Sequence, residues 1–206
     1  MESVLDSLLA ASAQRVIEEN LGEKTTEKIK DRLFERHGIS LTQAIKDFHK
    51  FDSVLREFFG HGAEGLEAKL FESIIKTEKT KDDVKKDWIT IQDQGIAKTF
   101  LEALGDPDKK AILNSVLDQP LIIAEILESC KMPQTSGYRK INSLINDGLL
   151  IQKGQCMTVD RKKVTKYESI FKNINIELGK NCVKINTQMK EEILEESSIL
   201  RIVRLN

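Results

Sequence analysis

Apolar residues recur at helical spacing through the first third of the chain. Val4, Leu5, Leu8, Leu9, Val16 and Ile17 form one stripe, and Gly22 is its stop. A second helix is predicted from Thr25 or Thr26 to His37, with Ile29, Leu33 and Phe34 on one face and Gly38 ending it. Ser40 or Thr42 can cap a short third helix through Ala44, Ile45 and Phe48. Asp52 is expected to cap Val54–Phe59, and the helix after Gly60 to carry Leu66, Leu70, Phe71, Ile74 and Ile75. Residues 1–76 thus read as a helical domain with a Phe-rich core, and 77–87, almost entirely charged or polar, as a linker or exposed helix.

The pattern restarts at Trp88, Ile89 and Ile91, a short strand before a helix at about Gln94–Leu104. Asp106 and Pro107 open the next helix as cap and first-turn proline, with Ile112, Leu113, Val116 and Leu117 inward. From Pro120 to Leu150 the chain reads as two short helices broken by a turn. The first, with Pro120 at its first position, carries Leu121, Ile122, Ala124, Ile126 and Leu127; Lys131, Met132 and Pro133 stop it. In the second, Ile141, Leu144 and Ile145 recur at i, i+3 and i+4, and Gly148 lies past its end. Leu149–Met157 and Lys163–Ile170 alternate as a hairpin with its tip near Asp160–Lys162. Asn173–Glu177 and Cys182–Asn186 predict a second hairpin, closing residues 88–187 as one unit. In residues 188–206, Met189, Ile193, Leu194, Ile199, Leu200, Ile202 and Val203 mark a last helix. Its stripe either packs within the chain or, like that of the first helix, dimerises.

From Ile96 to Ile176 the chain resembles the winged helix-turn-helix of ArsR-type transcriptional regulators, especially archaeal ones. The carrying stretches are IAKTFLEALGDPDKKAILNSVL, IIAEILESCKMPQTSGYRKINSLINDGLL and KKVTKYESIFKNINIEL, in the family's order and spacing. The resemblance implies a domain that reads the DNA major groove with its second helix and touches the backbone with a β-hairpin wing. This wing tip, TVDRKK, lacks the glycine the family favours there. The amino-terminal region loosely resembles helical output domains of archaeal signal-transduction proteins, through stretches such as ERHGISLTQAIKDFHKFDSVLREFFG. The fold expected is therefore mainly α with a small β component: an N-terminal helical domain and a C-terminal winged helix-turn-helix.

Charge sharpens this picture. The formal net charge of −1 conceals 15 Lys and Arg against 18 Asp and Glu in residues 1–87, and 9 against 3 in residues 131–172. A basic segment coinciding with a reader helix and wing is the electrostatic footprint of phosphate binding. Arg139 is the foremost candidate for base contact, because its guanidinium can pair with guanine O6 and N7. Gln134, Thr135, Ser136, Tyr138, Asn142 and Ser143 could reach base edges or phosphate, Tyr138 equally fitting the core. Lys131 and Lys140 are expected on phosphate, and Arg161, Lys162, Lys163 and Lys166 on backbone or minor groove. A single reader helix of this size covers few base pairs, so a homodimer on a two-fold operator is expected.

Catalytic signatures are missing: no Gly-rich phosphate loop, Gly-x-Ser-x-Gly or His-Glu-x-x-His occurs, so an enzyme is not expected. Cys130, Cys156 and Cys182 fall in no Cys-x-x-Cys, so they are expected to be buried or half-buried and suggest neither zinc nor a disulfide framework. Where the resembled family carries a metal-sensing Cys-x-Cys, this chain has Ile122, Ile123, Ala124 and Glu125; no cofactor or metal is expected. His37, His49 and His61 share no helical face and read as surface or cap residues. No apolar run reaches the ~20 residues of a membrane helix, and Glu2 and Asp6 do not suit a secretory signal, so the expected location is cytoplasmic. Two functions remain: a DNA-binding regulator receiving a protein or small-molecule signal on its helical domain, or a winged-helix protein-interaction scaffold that does not bind DNA. Operator, sign of regulation and ligand are not encoded legibly.

Overall fold

The computed structural model describes residues 3–77, 88–158, 160–180 and 182–205. All but the first of the charged stretch 77–87 lies outside the described residues. The chain is mainly helical with small antiparallel sheets, and no described helix is long and apolar enough to cross a membrane.

Helix α1 (Val4–Leu21) begins at Ser3, whose hydroxyl accepts the Asp6 N–H at 3.3 Å, and it ends at Gly22. Then follow α2 (Glu23–His37), α3 (Leu41–Lys46), α4 (Phe48–Phe59) and α5 (Ala63–Glu72). Ser40 caps α3 in a reciprocal box with Gln43. The edges of Phe48, Phe51 and Phe71 meet at centroid distances of 5.7–6.4 Å, forming the aromatic part of the core. Three local expectations are corrected here. Helix α4 starts at Phe48, so Asp52 lies inside it and pairs with Arg56 at 2.7 Å instead of capping. Phe34 is 71% exposed, because Ile29 and Leu33 already fill the inward face of α2. The helix expected to reach Ile75 ends at Glu72, and Ile75 belongs to strand β1 (Ile75–Thr77).

Strand β1 pairs antiparallel with β2 (Trp88–Ile91), so residues on either side of the charged stretch share one sheet. That sheet is completed by β7 (Val183–Met189) and β6 (Phe171–Leu178), in the order β1-β2-β7-β6. The second hairpin is longer than expected, and it extends the β1–β2 pair through β7, which lies beside β2. Between β2 and β6 run α6 (Gln94–Gly105), α7 (Pro107–Ser115), β3 (Leu121–Ile122), α8 (Ile123–Ser129), α9 (Gln134–Asn146), β4 (Leu150–Met157) and β5 (Lys163–Ser169). Pro120 does not start a helix: Leu121 and Ile122 ladder with Tyr167 and Lys166 of β5, which delays α8 to Ile123.

The last segment is two helices, α10 (Glu191–Glu196) and α11 (Ser198–Leu205), broken at Ser197. Both pack within the chain, α10 on α1 and α11 on α5. Ile193, Leu194, Ile199, Leu200 and Val203 are buried in the same core as Leu5, Leu9 and Ile17 of α1. Asp6 makes the join: its carboxylate accepts the Ser197 hydroxyl, the Ser198 N–H at 2.9 Å and the Ile199 N–H at 3.4 Å, capping α11 from a helix 191 residues earlier. Burial pushes the Asp6 carboxyl above its ordinary range, although these hydrogen bonds pull the other way. Asp93 joins α1 to α6 similarly. Almost fully buried, it accepts the Ile96 N–H at 2.9 Å as the α6 cap, the Ser12 hydroxyl at 2.8 Å, and Arg15. The side chains that sequence periodicity left uncovered on the first and last helices thus cover each other.

Candidate nucleic-acid interface

The turn between α8 and α9 is built by backbone geometry. Met132 N–H returns to Leu127 C=O at 3.0 Å and Lys131 N–H to Glu128 C=O at 3.1 Å, the paired bonds of a Schellman helix end. That end needs a left-handed residue, and Lys131 supplies it with φ 51°. The same pair of bonds closes α9, from Leu149 to Leu144 and Gly148 to Ile145, with Gly148 at φ 71°. Gly137 sets the approach of the two helices. A Cβ there would lie 2.1 Å from Leu127 Cδ2, so glycine permits this contact despite its cost inside a helix.

Helix α9 buries Gly137, Ile141 and Leu144 and exposes Gln134, Thr135, Tyr138, Arg139 and Asn142. Tyr138 is 45% exposed, so it is a surface residue; with Ala124, Lys131 and Gln134 it borders a hollow of about 360 Å³ against the turn. Ser136 and Ser143 are half-buried and turned to local carbonyl and carboxylate groups: Ser136 donates to Pro133 C=O at 3.2 Å and Ser143 to Asp147 at 3.3 Å. Lys140, expected on phosphate, is instead paired with Asp106 and lies 3.9 Å from Asp108. Its ammonium holds the Asp106 carboxyl below the usual range, with help from the Lys109 and Asp108 N–H groups. Lys109 pairs with Asp147 at 3.1 Å, so two ion pairs fix α9 on α7. These hold the helix; they leave Arg139 outside.

The β4–β5 hairpin pairs Leu150 with Ser169 at its base and Met157 with Lys163 near its tip. No glycine occupies the tip. Arg161 takes the left-handed conformation at φ 56°, and Thr158 closes the loop: its N–H donates to Lys162 C=O at 2.9 Å and its hydroxyl accepts the Lys162 N–H at 3.1 Å. Arg161, Lys162 and Lys163 are exposed, whereas Lys166 is half-buried beside Ile122 in the β3 register. Among the described residues, Lys131, Arg139, Arg161, Lys162 and Lys163 have no acidic partner. At the hairpin base the charge is instead consumed: Glu168, nearly buried, receives Lys190 at 2.8 Å and Lys153 at 3.4 Å.

Sequence reasoning missed three features. Gly137 and the left-handed Lys131 left no signal beyond their identities, and a cleft of about 1270 Å³ depends on long-range packing. That cleft runs between α1 and the unit carrying α9, lined by Leu8, Arg15, Ile96, Asn146, Gly148 and Ile151 among others. Of the cysteines, Cys130 and Cys156 are half-buried but Cys182 is exposed; none is in a disulfide. Among the described residues no group of three or more His, Cys, Asp or Glu is placed to hold a metal. His49 and His61 are exposed, while the Nε2 of half-buried His37 is itself buried without a partner.

No protein-family model matches the sequence, and no curated protein matches it. Among solved structures the chain is similar to NolR from Sinorhizobium fredii, with 19% identity and a TM-score of 0.31 over 36% of this chain and 69% of that one.

Proposed function

We propose that the protein is a DNA-binding transcription regulator in which α7–α9 and the β4–β5 hairpin act as a winged helix. Helix α9 enters the major groove, presenting Gln134, Thr135, Tyr138, Arg139 and Asn142 to base edges. Lys131 and the wing cations Arg161, Lys162 and Lys163 contact phosphate. The α1–α5 bundle takes a signal or partner, and the cleft between α1 and the end of α9 is where that input would reach the reader helix.

One observation carries this reading. Among the described residues, two non-glycine residues have positive φ, and they are Lys131 and Arg161. Each position would accept glycine at lower conformational cost, by about 1 kcal/mol. Both hold an exposed cation, one at the turn before the reader helix and one at the wing tip. Strain kept where a charge is presented, on either side of one helix, fits a phosphate-tracking surface better than a solvated face.

Fluorescence anisotropy with random-sequence duplex DNA at low and moderate salt tests the reading. Binding should weaken log-linearly with salt, Lys162→Ala should reduce the slope by about 1, and Arg139→Ala should weaken binding further. Absence of binding at low salt by a folded protein would exclude it. The result would then favour the second reading, a protein-interaction scaffold, for which the 71% exposed Phe34 on the acidic helical region is the specific observation.

A further inference from the structure

The apolar faces of α1, α10 and α11 are used up inside the chain, which leaves a different surface uncovered. Strand β6 is the terminal strand of the β1-β2-β7-β6 sheet, and among the described residues nothing pairs with its outer edge. Ile174, Ile176 and Leu178 lie in register with Thr187, Ile185 and Val183 of β7, so they share the face that buries Ile185 and Thr187. Helix α6 lies against β7 but does not cover the far end of β6: Ile176 is 39% exposed and Leu178 is 81% exposed. The strand is eight residues long, contains no proline, and carries no charge on this face between Ile174 and Leu178. A register shift between Phe171 and Asn173 interrupts one end alone. Such an edge, long and apolar on one face, invites pairing by another strand.

We propose that this edge pairs with the same edge of a second copy, antiparallel about a two-fold axis through Asn175, to give an eight-stranded sheet. The hairpin turn sets the alternation of the ladder. Gly179 N–H donates to Cys182 C=O at 2.8 Å, so counting back along β6 the amides of Asn175 and Glu177 face β7, and those of Ile174, Ile176 and Leu178 face the open edge.

About Asn175, Ile174 of one copy pairs with Ile176 of the other through these outward amides, and the side chains stay on their own faces. Glu177 then lies opposite Asn173 and beside Lys172 of the second copy, an attractive arrangement. Shifting the axis to Ile176 sets Lys172 against Lys180, and shifting it to Ile174 sets Glu177 against Phe171. The strand is therefore self-complementary in one register, which is what an isologous interface requires and an unrelated partner does not. Pairing sets Ile176 of each copy against Ile174 of the other, extending the inner apolar strip across both, and lays the aliphatic stem of Lys172 against Leu178.

Sedimentation equilibrium on the full chain without DNA tests the proposal apart from the function argued above. A concentration-dependent dimer is expected, and Ile176→Lys with Leu178→Lys should raise its dissociation constant ~100-fold while circular dichroism stays unchanged. Register is tested by cross-linking in a Cys182→Ser background. Asn175→Cys should form an intermolecular disulfide on mild oxidation, because it faces itself across the axis, and Asn173→Cys should not. A protein that stays monomeric at high concentration, a dimer indifferent to the lysine pair, or cross-linking at 173 in preference to 175 would each overturn it.

Discussion

The α1–α5 bundle and the α8–β5 region are comparably rich in cations but use them differently. In the bundle, most cations are matched on the spot: Lys30 bonds Glu18 and Glu27, Arg32 and Arg36 share Glu57 at 3.0 and 2.6 Å, and Arg56 holds Asp52, while Lys24, Lys28 and Lys69 stand without an acid among the described residues. In the α8–β5 region the cations that fix structure, Lys140 and Lys153, are paired, Lys166 is half-buried, and Lys131, Arg139, Arg161, Lys162 and Lys163 face outward without acids among the described residues. Unmatched charge of one sign raises a surface's potential without stabilising the fold, so its concentration in one region points to an external anion. The two left-handed cations sharpen the contrast, since in the bundle the left-handed position at Gly38 is a glycine.

The largest effect should come from the link between the bundle and the chain's last helices. Asp6→Ala removes the cap of α11 and leaves the Ser197 hydroxyl and two N–H groups without their acceptor. A loss of about 3 kcal/mol is expected in urea unfolding. Glu67 comes next. It is buried in α5, one carboxylate oxygen lacks a partner, and burial followed by the nearby Asp52 charge raises its pKa from 4.5 to about 8. Because the folded-state value is the higher one, its contribution to stability is greatest below the unfolded value and declines as pH rises from about 4.5 through about 8. Glu67→Gln should remove that decline, raising Tm by several degrees at pH above 8 and changing it little near pH 4.5.

Arg161→Gly separates the strain from the charge. Relief of the left-handed residue should stabilise the fold by up to about 1 kcal/mol in thermal unfolding, while anisotropy shows weaker duplex binding. A variant that binds DNA as before would show that the wing-tip cation is decorative. The smallest effect is expected from Glu57→Gln, which frees Arg36 and leaves Arg32 with Glu35 alone. It should cost about 0.5 kcal/mol and leave the salt slope of DNA binding unchanged. A steeper slope would mean that the bundle too can present its cations to phosphate, and the contrast between the regions would fall.

Local chemistry made much of this legible. Glycine at 22, 38 and 148, the Asp106–Pro107 helix start and the i, i+3, i+4 pattern of α9 each act within a few residues, and the structure places them as expected. The failures are tertiary. Leu121 and Ile122 suit a helix until β5 offers them a ladder, Ile75 suits α5 until β2 does, and the last apolar stripe divides at Ser197 because Asp6 caps a new helix there. At the candidate interface the outward face of α9 was readable from periodicity. The capture of Lys140 by Asp106 was not, because its partner comes from another helix.

The Asp6–Ser197 bond also constrains how the molecule is made. It joins residues 191 positions apart, and the strand order places β7 between β2 and β6. During synthesis Leu5, Leu9 and their neighbours leave the ribosome long before Ile193 and Leu200 exist to cover them. Until the closing helices arrive, the apolar face of the bundle that they cover is exposed. Contacts of such sequence separation slow folding, and the interval before closure is when the nascent protein has most need of a chaperone.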